Sequence, residues 1–390
     1  MKFFADAAYE SINHYGEELC GDKVEFIRDQ GGGFYAVLAD GLGSGVKANI
    51  LSTLTSKIIA TMMAEGAKLT ECVETIASTL PKCSERGLAY STFTIVKVKP
   101  DGWIYTAEFD NPLIIYFRDG KLMELEREVV EIDGKIIYTS SFQAQVDDML
   151  VMFSDGVVHA GVGSLLDLGW QYDNIVKYAE EAMEKDISPR VMAKKMVSTV
   201  NTLYMNKPGD DSTVCAIRFR EGRAVTVMVG PPAKKELDAT VVNRLMYSKG
   251  LKVVCGGTTS QIVSRVTGRE LKVLLDYDNP ALPPTALLPG VDLVTEGVLT
   301  LRKALENIRE LNETGGEHEL INYKKKDGAT KLTRVLMEES TEVHFLVGQA
   351  LNEAHQNPGM PVSLGLKFSL IGELAEELRK TGKRVTIEYF

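Results

Sequence analysis

The hydrophobic pattern of the chain changes near Glu221 to Arg223, and that change constrains the fold more than any single motif. Before it, short strand-like runs such as FYAVLA, STFTIVKV, WIYTAEF, PLIIYF, KLMELE and MLVMFSD are divided by turn sequences, among them Pro100 to Gly102 and Arg118 to Gly120. Strands joined by turns this short pair antiparallel. After it, VTVMV, LKVVC, VDLVT and VHFLV alternate with amphipathic segments of helical length. Strands apolar at consecutive positions are buried on both faces, which is the habit of a parallel sheet wrapped by helices. The pattern predicts two domains, residues 1–222 of α+β class and residues 223–390 of mostly parallel α/β class. A chain of 390 residues agrees, because single cores rarely grow beyond about 250 to 300 residues.

Within the first part, KVEFIR and FYAVLA flank the glycine-rich stretch Gln30 to Gly33 and read as a hairpin. Val46, Ile50, Leu51, Leu54, Ile58, Ile59 and Met62 then follow helical spacing, with these side chains expected on the buried face. Further helices are expected over Thr70 to Leu80, Asn174 to Glu184, and Pro189 to Met205, the last capped by Ser188. Helices grouped among antiparallel strands describe a layered sandwich whose strand ends meet at one edge.

Composition narrows the function classes. With 44% apolar and 25% charged residues the chain reads as a globular protein, and no apolar run approaches the roughly 20 residues of a spanning helix. The first residues, MKFFADAAYE, lack the long apolar stretch of a signal peptide, and five scattered cysteines contain no C-x-x-C pair, so a cytoplasmic protein is expected. A net charge of −10 with no dense basic cluster argues against nucleic-acid or membrane partners. Acidic side chains can instead collect cations.

Asp22, Asp40, Asp155 and Asp210 each stand beside glycine at an expected strand end: CysGlyAsp, AlaAspGly, SerAspGly and GlyAspAsp. Hard divalent cations such as Mg²⁺ or Mn²⁺ take oxygen ligands, and a neighbouring glycine lets the main chain turn sharply and approach an ion. AspGly is also an ordinary turn dipeptide, as at Asp101, Asp119, Asp133 and Asp327. Asp40 and Asp155 differ because they follow strongly apolar runs, so their turns face a crevice rather than a polar hairpin tip. Four carboxylates gathered without cations would repel, and two divalent ions nearly balance them. The Gly41 to Gly45 run lies between strand and helix but fails the dinucleotide pattern, since position 46 is Val46.

CysGlyAsp22, Ala39 to Gly45 (AlaAspGlyLeuGlySerGly), SerAspGly156 and Gly209 to Val214 (GlyAspAspSerThrVal), in that order, resemble the metal-dependent (type 2C, PPM) serine/threonine protein phosphatases, and among them the bacterial stage II sporulation protein E branch. The resemblance covers residues 1 to about 220. It implies an α/β/β/α sandwich of two antiparallel sheets and two Mn²⁺ or Mg²⁺ ions. Asp40 is implied to bridge both ions, Asp155 and Asp210 to complete one site, and Asp22 with the Gly41 carbonyl to serve the other. Asp211, where many relatives carry asparagine, is implied to stand behind the ligands. The implied reaction is attack by a metal-bridging water on the phosphorus of phosphoserine or phosphothreonine in a regulatory protein, such as an anti-sigma-factor antagonist. Where eukaryotic members place a histidine after AspGly, this chain has Leu42 and Gly43, so no protein acid is identified; His14 and His159 are the histidines nearest a motif. The alternative reading is a catalytically inactive, phosphatase-like binding and sensor protein. Intact aspartates favour the enzyme.

No family is recognised in the second part. Val253 to Ser260 ends a strand with two glycines and opens a helix with hydroxyl residues, and ValThrGluGly at Val294 and the loops after Val229 and Val347 are similar. Parallel sheets bind ligands beyond the carboxyl ends of their strands, so Thr258, Thr259 and Glu296 are the expected contacts of a small-molecule ligand, weighed against plain tight β-to-α connections.

Overall fold

The computed structural model describes residues 3–29, 31–79, 91–183, 187–274, 285–314, 327–350, 356–357, 360–361 and 364–390. Gln30, Leu80, Glu184 and positions 324–326 of the expected turns and helix ends lie outside them. The chain divides into two compact units, Met1–Glu221 and Gly222–Phe390.

The first unit runs β1 (Phe3–Ile12), β2 (Asp22–Arg28), β3 (Phe34–Asp40), α1 (Gly45–Ala64), α2 (Leu69–Thr79), β4 (Thr92–Val98), β5 (Trp103–Phe109), β6 (Ile115–Arg118), β7 (Lys121–Met123), β8 (Glu128–Ile132), β9 (Lys135–Gln143), β10 (Met149–Phe153), α3 (Asp155–Val158), α4 (Tyr172–Ala182), α5 (Pro189–Leu203) and β11 (Ser212–Glu221). Its strands form two antiparallel sheets, one in the order β1-β11-β10-β6-β7 and the other in the order β2-β3-β4-β5-β9-β8. Side-chain alternation explains the layering. Along β3, Phe34, Ala36 and Leu38 enter a core shared with Leu150, Met152, Cys215 and Ile217 of the opposing sheet. Tyr35 and Val37 point the other way, against Ile59, Met63, Val73 and Ile76 of α1 and α2. On the far side, Val151, Val214 and Ala216 pack against Ile175 of α4 and Met192 and Met196 of α5. The result is the α/β/β/α sandwich, and the all-apolar FYAVLA run is the strand covered on both faces.

Helix α1 departs from its expected orientation. Val46, Ile50 and Leu54 are 60%, 52% and 43% exposed, while Ala48, Ser52, Thr55, Ser56, Ile59 and Ala60 are buried. Close approach is the reason: a Cβ on Gly41 would lie 2.1 Å from the Ala48 carbonyl oxygen, and one on Gly21 would lie 3.0 Å from the Ala48 Cβ. Only small side chains fit beneath the first turns, so the large aliphatic residues there face outward, and Ile58, Ile59, Met62 and Met63 restore apolar packing further along.

The second unit runs β12 (Ala224–Val229), α6 (Asp238–Met246), β13 (Leu251–Cys255), α7 (Gly257–Thr267), β14 (Lys272–Val273), β15 (Ala286–Leu288), β16 (Val291–Thr295), α8 (Val298–Thr314), α9 (Gly328–Met337), β17 (Glu342–Val347), β18 (Gln356–Asn357), β19 (Met360–Pro361), α10 (Leu364–Lys380) and β20 (Arg384–Tyr389). Its main sheet has the order β14-β15-β16-β13-β12-β17-β20. Strands β16, β13, β12, β17 and β20 are parallel, and β15 and β14 add an antiparallel edge. Val227 and Val253 pack with Leu301, Leu332 and Leu370 on one face, and Met228 and Val254 with Val241 and Val263 on the other. Helices thus cover both faces of a mostly parallel sheet. Among the described residues, no helix is long and apolar enough to cross a membrane.

Candidate metal centre

In the first unit three loop regions and one strand start converge at one edge of the sandwich. Asp22 opens β2 and Asp40 closes β3, and the antiparallel register sets the two directly opposite each other. Asp155 follows β10 through Ser154, and Asp210 and Asp211 lead into β11, the strand paired with β10. The two strand ends are stitched by Ser154: its main-chain N–H donates to the Thr213 carbonyl at 3.0 Å, and its hydroxyl accepts the Thr213 N–H at 2.9 Å. The same hydroxyl donates to Asp22 Oδ2 at 2.7 Å, joining one sheet to the other.

Both AspGly glycines are required by packing. A Cβ on Gly156 would lie 2.0 Å from the Asp211 carbonyl oxygen, as one on Gly41 would strike Ala48. Neither contact leaves room for a side chain, so the loops carrying Asp40 and Asp155 close onto their neighbours through bare backbone. The Tyr204 hydroxyl donates to the Gly156 carbonyl at 3.0 Å and holds that loop from α5.

The charges interact strongly. Burial, then the charges of Asp22 and Asp155, a hydrogen bond with Asp155 and the charge of Asp210 push the Asp40 carboxyl far above the usual carboxylate range. Burial raises Asp22 as well, with Asp211 and Asp155 adding to the shift against the hydrogen bonds from Ser154 and Thr213. Asp210 is pushed up to about 6, by burial first and by Asp155 second. Such a set resists ionisation unless positive charge is supplied. Among the described residues, no three carboxylate, histidine or cysteine side chains stand drawn in around a common ion position. The fit to a cation rests instead on orphaned oxygens: Asp22 Oδ1 and Asp211 Oδ2 are buried without a hydrogen-bond partner. With oxygen-only donors and main-chain glycine alongside, the donor set suits hard divalent ions.

Ser154, Thr213 and Tyr204 are supporting residues that sequence reasoning passed over. No sequence signal marked Ser154, because its hydroxyl serves Asp22, 132 positions away in the chain, rather than the adjacent Asp155. His14 donates its main-chain N–H to Asp211 Oδ1 at 3.0 Å, and its Nδ1 is buried without a partner. His159 is exposed at the end of α3, its N–H bonded to the Asp155 carbonyl at 3.0 Å.

In the second unit Thr258 is exposed and Thr259 buried in the first turn of α7, beyond β13. Glu296 follows β16, the strand next to β13, and its Oε2 is buried without a partner. The strand order instead reverses between β12 and β17, where a Cβ on Gly348 would lie 2.0 Å from the Pro231 carbonyl oxygen and the Lys367 amino group donates to the Gly348 carbonyl. The loops after Val229 and Val347 therefore meet each other, while positions 351–355 lie outside the described residues.

The first unit has the α/β/β/α sandwich expected of a type 2C phosphatase-like domain, with the aspartate-bearing loops at one edge. Residues 30–220 match the family model of Stage II sporulation protein E (SpoIIE), so it is this unit that carries the SpoIIE-type resemblance. Among solved structures, the phosphatase domain of SpoIIE from Bacillus subtilis, in a crystal form without domain swapping, is 18% identical, with 56% of this chain and 94% of that chain covered and a TM-score of 0.44. The RsbU and RsbW domains of a Mycobacterium tuberculosis protein are 16% identical, covering 62% and 67%, with a TM-score of 0.44. The SiaA-PP2C domain of Pseudomonas aeruginosa is 16% identical, covering 54% and 85%, again at 0.44. No curated protein matches the chain.

Proposed function

We propose that the first unit hydrolyses phosphoserine or phosphothreonine in a regulatory protein, of which an anti-sigma-factor antagonist is the type the SpoIIE resemblance suggests. The observation that carries this reading is the meeting of Asp22, Asp40, Asp155 and Asp210, far apart in sequence, with their charges coupled at one edge of the sandwich. Asp40 would hold both of two Mn²⁺ or Mg²⁺ ions, with Asp155 and Asp210 on one side and Asp22 and the Gly41 carbonyl on the other. When bound, such a pair supplies the Lewis acidity that activates water at neutral pH and offsets phosphoryl charge. The chain's own work is placement. Cross-strand pairing fixes Asp22 opposite Asp40, Ser154 orients Asp22, and bare glycine backbone brings the Asp155 loop against Asp211.

The second unit is read as a regulatory module taking a small ligand at the carboxyl ends of β13 and β16, supported by Thr258, Thr259 and Glu296 at adjacent strand ends. The proposed setting is the cytoplasm, in keeping with free thiols at Cys20, Cys72, Cys215 and Cys255.

Release of phosphate from p-nitrophenyl phosphate tests the enzymatic reading. Turnover should require Mn²⁺ or Mg²⁺, and Asp40→Asn or Asp155→Asn should lower it on the order of 100-fold or more while the fold is kept, since several kcal/mol of charge stabilisation would be lost. A folded parent protein that turns over nothing with any divalent metal would move the assignment to the binding and sensor reading.

A further inference from the structure

Asp211 is the fifth carboxylate at this edge, and no ligand role has been given to it. It is 3% exposed, as is Asp22. Each of these two carboxylates has one oxygen held by the protein and one left bare. Asp22 Oδ2 accepts the Ser154 hydroxyl at 2.7 Å, and Asp211 Oδ1 accepts the His14 N–H at 3.0 Å. Asp22 Oδ1 and Asp211 Oδ2 are buried and have no partner. The bare oxygen of Asp211 faces the turn that carries Asp22, since a Cβ on Gly21 would lie 2.7 Å from it. Two buried carboxylates, each with an unsatisfied oxygen and one of them set against the turn that carries the other, cost far more than a turn residue can justify unless something positive joins them. An asparagine at position 211 would keep the acceptor for His14 and present an amide N–H₂ in place of the bare oxygen. The aspartate here presents a second negative oxygen instead.

We propose that Asp211 Oδ2 joins Asp22 Oδ1 in holding the cation on the Asp22 side, making Asp211 a metal ligand of this chain. The inference rests on the two-cation reading of the first unit and adds a residue to it. Charge and geometry separate it from a purely structural role. If Asp211 only anchors the His14 loop, Asp211→Asn changes nothing, because the acceptor for that N–H remains.

The test is isothermal titration of the full-length protein with MnCl₂, read as stoichiometry and affinity, beside circular dichroism for folding. In Asp211→Asn, one of two Mn²⁺ sites should weaken by about tenfold or more, the range seen when groups around a metal are altered, while the other moves by less than about twofold. Asp211→Ala should give the same weakened site, with some added loss of stability from the orphaned His14 N–H. Both Mn²⁺ affinities unchanged in Asp211→Asn, with Asp22→Asn losing a site, would overturn the role of Asp211 and leave the two-cation reading standing. A wild-type protein that binds no Mn²⁺ at all would overturn both.

Discussion

A carboxylate placed where it cannot easily ionise marks a position waiting for positive charge, and Asp210 makes this measurable. Burial and the neighbouring Asp155 push it up to about 6. A folded-state pKa above the unfolded value of about 3.9 means the native state binds this proton more tightly. That contribution to stability is complete below about pH 3.9 and is lost as pH rises through about 6. In protein stripped with a chelator, Asp210→Asn should therefore gain thermal stability relative to the parent as pH goes from about 4.5 to about 7.5, because the variant has no charge to bury. Adding Mn²⁺ at the higher pH should reverse the ranking. Melting temperatures by scanning fluorimetry decide it, and a difference between variant and parent that is flat with pH sinks the idea. At this scale the sequence was informative about which aspartates matter, because Asp40 and Asp155 follow apolar runs that end as core strands. It said nothing of Ser154 or of the bare oxygens, since those depend on where β10 and β2 stop relative to each other across two sheets.

Helix α1 shows what a periodicity cannot convey. Its spacing correctly marks a helix, yet the buried side is chosen by what lies beneath, and beneath its first turns lie the Gly41 and Gly21 backbones. Ala48, Ser52 and Ser56 fit that gap, and Val46, Ile50 and Leu54 are turned outward. Ile50→Ser should therefore change stability within about 0.5 kcal/mol, as surface changes do, whereas Ile59→Ala, fully buried against Val37 and Val73, should cost about 2 to 5 kcal/mol. Urea denaturation of the two variants checks the contrast, and a comparable loss in Ile50→Ser would mean that this face is packed after all. Strands of the sandwich interior were easier to read than α1, because β3 from Phe34 to Ala39 and β10 from Met149 to Phe153 are apolar at every position, as strands are when both of their faces are covered. The edge pieces β14 and β15 carried too few residues for any pattern to register.

Among the described residues each unit has cores of its own: three clusters in the first, with residues from Ala5 to Phe219, and two in the second, from Val225 to Leu378. The switch from turn-divided strands to consecutive apolar runs anticipated both architectures because it reflects how many faces of each strand are covered. Separate cores lead to a thermodynamic expectation, that the units unfold as separate cooperative transitions. A ligand that binds one folded unit raises only that transition, by about 2.7 kcal/mol at 100 times its dissociation constant. For domains of this size each kcal/mol moves the midpoint by about 2 to 4 °C, so Mn²⁺ should lift one calorimetric transition by about 5 to 10 °C and leave the other in place. The lifted transition should be the one abolished as a Mn²⁺-responsive event by Asp40→Asn. A panel of nucleotides and small phosphate-bearing ligands should act on the remaining transition, with Glu296→Ala removing the effect if the β13 and β16 strand ends hold the ligand. One transition that shifts as a whole with Mn²⁺ would show the two units to be energetically inseparable. A second transition indifferent to every ligand would leave the α/β unit without a small-molecule role.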